Sequence, residues 1–140
     1  MLKLRQFRHI SFHTGMLNGQ TALATGQFPM WVSQADKYVD DGIRQFYFST
    51  NTSSMRVKQY MNNPNACIYF YHKGLFKYVG VMLKGKMEVL TDQETKNMIW
   101  RKGDTMFYKG GVTDPDYCVL RFTANSGRYY CDLKTESFLI

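Results

Sequence analysis

Residues 49–56 read STNTSSMR, a crowd of hydroxyls with one amide and one guanidinium. They sit between Arg44-Gln45-Phe46-Tyr47-Phe48, which reads as a strand, and Val57-Lys58-Gln59-Tyr60-Met61-Asn62, which reads as a helix. A helix start offers unpaired backbone N–H groups and the positive end of a dipole. Thr50, Thr52, Ser53 and Ser54 add hydroxyl donors there, and Arg56 adds a planar fork that matches phosphate. Such a junction can cradle a phosphate group. The same residues also permit a simpler reading, in which Thr52 or Ser53 is an N-cap and Arg56 lies on a solvated face.

Other chemistry is sparser. His9 and His13 stand four apart and could share a helix face, but no third metal ligand is near them, so surface histidines are the simpler reading. Cys67, Cys118 and Cys131 are far apart with no Cys-x-x-Cys, which argues against a disulfide framework or a zinc site. Trp31 and Trp100 can stack on a planar ligand or fill a core. Asp114-Pro115-Asp116 reads as a turn, and its carboxylates have no general-acid partner in view. No nucleophile elbow, Walker loop or dinucleotide fingerprint occurs.

The elements that must position these residues are mostly strands. With 140 residues, 44% apolar and 16% aromatic, the chain fits one globular domain spanning 1–140. Ten Tyr and ten Phe favour strands. The net charge of +7 invites anions, but the 18 basic residues are scattered with no run of four, which argues against a dedicated nucleic-acid binder. Strands are expected near 20–25, 30–34, 44–50, 66–71, 78–90, 117–123 and 128–133. Leu4, Phe7 and Ile10 give a weak helical stripe, and Asp36 to Gly42 reads as a loop. A helix is expected over 53–62, with Val57, Tyr60 and Met61 on one face and Pro64 behind it. Thr91-Asp92-Gln93-Glu94 has capping-box form and opens a helix through Trp100 that Gly103 can close. Gly85 marks a bulge or close approach inside 78–90, and Asn125-Ser126-Gly127 marks a closing hairpin. Six or seven antiparallel strands with two or three short helices make a mainly β barrel.

Taken in order, ALAT, PMW, FYFSTNTSSMRVKQYMNNPNACIYF, VMLKGKMEVLTDQE and WRKGDTMFYKGGVTDPDYCVLRF resemble the pyridoxamine 5'-phosphate oxidase-like superfamily, in its small stress-protein and uncharacterised bacterial branch. The resemblance runs over roughly residues 20–132 and is most specific at 49–64 and 110–122. It implies a split β-barrel, a homodimer, and FMN at the subunit interface. It places the FMN phosphate on Ser49, Thr50, Ser54 and Arg56, with Met55 in a second helix-start position. The flavin ring would lie along Met30, Trp31, Val32, Ser33 and Gln34, and Trp100 would reach the cofactor from the second subunit.

The departures are chemical. Phe28, Gln34 and Met55 stand where the family carries basic residues. Each lost charge-assisted hydrogen bond costs about 1.5–3 kcal/mol. Two such losses weaken binding by roughly two to four powers of ten. Lys58, or a lysine of a second copy, could compensate. The expectation is therefore an FMN-dependent oxidoreductase of unknown substrate, distinct from a true pyridoxamine phosphate oxidase because the chain lacks the extended C-terminal segment that those oxidases use to bind substrate. The alternative is a non-catalytic ligand-binding or sensory module for FMN, haem, a deazaflavin or no cofactor. The odd cysteine count, the absence of a signal peptide and the absence of a long apolar run lead to the expectation of a cytoplasmic protein away from membranes.

Overall fold

The computed structural model describes residues 9–15, 21–26, 44–73 and 78–140. They form seven strands and two α-helices in the order β1 His9–Gly15, β2 Thr21–Gly26, β3 Gln45–Asn51, α1 Met55–Asn62, β4 Asn65–Lys73, β5 Tyr78–Leu90, α2 Gln93–Ile99, β6 Tyr117–Cys131 and β7 Lys134–Leu139. Two single-turn 3-10 helices, Asp104–Met106 and Gly111–Thr113, lie between α2 and β6. All pairings are antiparallel, in the order β2-β1-β4-β5-β6-β3, with β7 added to β6. This is the mainly β antiparallel architecture expected from the strand pattern, and it is consistent with the split barrel that the resemblance implies.

The long strands β5 and β6 form its spine. On one edge β6 pairs β5; on the other it pairs β3 over Tyr117–Thr123 and then β7 over Ser126–Cys131. The register of β5 against β6 shifts between Lys84 and Gly85. A Cβ on Gly85 would stand 1.9 Å from the Thr123 carbonyl oxygen, so only glycine allows the two backbones this close.

Strand alternation sorts the side chains into two clusters. Phe46, Phe48, Ile68, Val81, Leu83, Met87, Cys118, Leu120 and Phe122 face the barrel interior, which Val57 and Tyr60 of α1 help to seal. Tyr47, Tyr117 and Val119 point the other way and are covered by Ile99 and Tyr108. The start of β6 is thus buried on both faces, and its run YCVL is correspondingly unbroken.

Several local expectations are corrected. The region of the weak N-terminal helical stripe contains β1, because its backbone groups pair with β2 and β4. On a strand, His9 and His13 are about 13 Å apart along the chain, instead of one helical turn apart. The closing hairpin turns at Asp132 and Leu133, not at 125–127. Both residues have positive φ (47° and 65°), the combination a two-residue turn of matching twist requires. Residues 125–127 lie inside β6, because β5 and β7 give that stretch partners on either side. Ser54 caps α1, rather than Thr52 or Ser53, and Asp92 caps α2, rather than Thr91. Met61 is exposed, one position beyond the buried stripe, and Gly103 precedes a 3-10 turn instead of closing α2. The expected strand 30–34 and the loop 36–42 lie outside the described residues.

Candidate functional site

The junction of β3 and α1 divides its donors into three groups. Ser49 faces away from the barrel interior, and its Oγ lies 3.2 Å from the Tyr117 hydroxyl. Thr50 follows Phe46 and Phe48 on the inner face by the period of two. It is 9% exposed, and its hydroxyl makes no hydrogen bond among the described residues. Ser54 Oγ accepts from the Val57 N–H at 3.3 Å, which starts the helix.

Between them, Asn51, Thr52 and Ser53 already surround an anion, the carboxylate of Asp116. Asn51 Nδ2 donates to Oδ2 at 2.8 Å, the Ser53 N–H to Oδ1 at 2.8 Å, and Ser53 Oγ to Oδ2 at 3.0 Å. The Thr52 N–H adds a bond to the Asp116 carbonyl at 2.8 Å. The Ser53 backbone donor, then the Asn51 and Ser53 side chains, hold the Asp116 carboxyl below the ordinary carboxylate range. Asp114 fixes the other side of this turn, accepting from the Gly110 and Asp116 N–H groups at 2.9 Å each.

The two helices treat their dipoles oppositely. Asp92 and Glu94 place negative charge at the start of α2, where the dipole favours it. The first turn of α1 has no acid and carries Arg56 instead. A guanidinium at the positive end of a helix is electrostatically unfavourable by a few tenths to about 1 kcal/mol. An arriving anion reverses the sign of that interaction. Met55, beside Arg56, is exposed.

One turn further along, Tyr60 is 3% exposed, and its hydroxyl is the buried side-chain atom among the described residues that has no hydrogen-bond partner. Burial pushes this phenol up to about 12, against the opposing pull of the Arg56 charge. The unpartnered Tyr60 hydroxyl thus belongs to the same helix as Arg56, four residues further on. Thr50, Ser54 and Tyr60 are distinct from the donors that Asp116 occupies.

Trp100 caps the C-terminus of α2 and meets the Tyr117 ring edge-on, with centroids 5.1 Å apart and planes at 77°. Tyr108 packs on the same Tyr117 ring at 4.6 Å. Tyr117 thereby links Trp100 to Ser49, across a sequence distance no periodicity reveals. The nearly buried Lys96 places its ammonium 5.9 Å from the Tyr117 ring centre and 3.4 Å from the Asp114 carbonyl. Sequence reasoning missed Lys96, Tyr117 and the clamp by Asp116; the only sequence signal for the clamp was an Asp-rich turn. Met30, Trp31, Val32, Ser33 and Gln34 lie outside the described residues. Among the described residues, no cluster of three or more His, Cys, Asp or Glu could hold a metal ion.

The split barrel defines a class, and comparison with known proteins agrees. The family model described as "Pyridoxamine 5'-phosphate oxidase like" matches residues 5–139, and the chain belongs to that family. It is similar to a Clostridium acetobutylicum protein related to general stress protein 26 of Bacillus subtilis (pyridoxinephosphate oxidase family), with 34% identity, TM-score 0.73, and coverage of 95% of this chain and 86% of the other. A NimC/NimA family protein from the same organism shares the fold at 19% identity and TM-score 0.62, over 98% and 87% of the two chains. A heme binding protein from Mycobacterium smegmatis shares it at 10% identity and TM-score 0.67, over 99% of this chain and 59% of the other. A search of curated proteins found no match.

Proposed function

We propose that this protein binds FMN and acts as a flavin-dependent oxidoreductase, as a homodimer with the cofactor between two copies. The observation that carries the reading is Arg56 at the positive end of α1, on the same helix as the buried Tyr60 hydroxyl, which finds no partner among the described residues. Arg56 and the first-turn N–H groups would hold the phosphate, with Thr50 and Ser54 donating from either side of the joint. Trp100 would close over the ring, and Trp31 with its neighbours would line it. A bound flavin supplies the electron chemistry, while the protein supplies position and electrostatics. Exposed Met55, Met106 and Phe107, in the segments around Arg56 and Trp100, are apolar surface that a second copy would cover.

The test is uptake of FMN, read as quenching of its fluorescence. Arg56→Ala should weaken binding at least tenfold, as expected for a lost hydrogen bond to a charged acceptor. Protein that ignores millimolar FMN removes the proposal. The heme binding relative supports a second reading, in which the same pocket takes haem. Thermal shift separates the two, since a ligand at 100 times its dissociation constant adds about 2.7 kcal/mol of stability. A large shift with haem and none with FMN would favour the second.

A further inference from the structure

A tyrosine buried to 3% exposure with a bare hydroxyl needs a reason, because phenylalanine would fill the same space without stranding an oxygen. The ring of Tyr60 packs in the inner cluster with Phe46 and Phe48. Thr50 continues that same face of β3. Arg56 and Tyr60 are four apart on α1, one above the other on one face. Helical side chains lean back toward the N-terminus, and one turn rises about 5.4 Å, so the Tyr60 ring reaches toward the level of Arg56. The influence of the Arg56 charge on the phenol agrees with that placement, and burial keeps the hydroxyl protonated as a donor.

We infer that the Tyr60 hydroxyl is a further contact of the anion site, donating its hydrogen bond to the phosphate group held at the start of α1. The inference rests on the phosphate-binding reading above and adds to it a residue inside the barrel wall. Tyr60 is then a selector for phosphorylated over unphosphorylated flavin, and it stays unsatisfied until the phosphate arrives.

The experiment compares wild type with Tyr60→Phe for FMN, riboflavin and inorganic phosphate. The variant should melt no lower than wild type without ligand, bind FMN at least about tenfold more weakly, and leave riboflavin affinity unchanged. Equal FMN affinity in both proteins overturns the inference while leaving the flavin reading standing. If wild type takes up no FMN, that reading falls, and inorganic phosphate decides the assignment of Tyr60. Stabilisation of wild type but not of the variant supports it; equal shifts, or none, overturn it. Should the variant fail to fold, 3-fluorotyrosine at position 60 offers a stronger donor in nearly the same space. FMN should then bind more tightly, and an unchanged affinity overturns the inference.

Discussion

Asp116 carries the sharpest lesson at the scale of single residues. The eight residues from Ser49 to Arg56 have the donors of an anion site, and part of that capacity is spent on a carboxylate of the same chain. The division leaves Asn51 and Ser53 to shape the loop; in the proposed function Thr50, Ser54 and Arg56 would hold the ligand. Asp116→Ala should therefore speed amide hydrogen exchange at Ser53 while leaving the β3 amides between Phe46 and Ser49 protected. Ser53 protection that survives the substitution would show that the clamp is not formed in solution. The sequence made the donors plain but not their partners: Asp116 is more than sixty residues from Ser53, and no local pattern couples them.

At the scale of elements, the strands were legible wherever side chains alternate between a wet and a dry face. Tyr78–Leu90 shows this, with Val81, Leu83 and Met87 inward and the lysines outward. Legibility failed where pairing, not pattern, decides. β6 runs through Asn125-Ser126-Gly127 because β5 and β7 give those backbone groups partners, so residues that resemble a turn stay extended. Gly85 was readable as a point of close approach, and the Thr123 carbonyl supplies the reason. Gly85→Ala must push β5 and β6 apart at the spine, at a cost of about 1–3 kcal/mol. A melting temperature lowered by several degrees is expected; an unchanged one would mean that the bulge relaxes without strain.

For the whole molecule, charge and pH connect the parts. The carboxyls of Glu88, Asp92 and Asp116 are all held low: Glu88 by the Arg121 guanidinium, Asp92 by the Thr95 N–H at the start of α2, and Asp116 by the loop. Arg121 binds Glu88 through two hydrogen bonds of 2.9 Å across β5 and β6. A carboxyl whose pKa is depressed on folding contributes stability above its unfolded value and loses it as pH falls through the folded one. Thermal stability should thus hold from neutrality to about pH 5 and decline below about pH 4, where unfolded carboxylates take up protons. Denaturation midpoints that rise as pH falls through this window would contradict the assignment. The Glu88–Arg121 pair is partly exposed, so Glu88→Gln should remove 1 kcal/mol or less.

The sequence by itself determined the strand-rich class, the family, and the crowd of hydroxyl donors with Arg56 before and at the start of α1. These depend on local periodicity and on residue types that lie side by side in the chain. Only the tertiary structure decided which donors Asp116 occupies, that Tyr117 joins Ser49 to Trp100, and that the Tyr60 hydroxyl is buried without a partner. Those are matters of distance between segments far apart in sequence, set when the strands take their register.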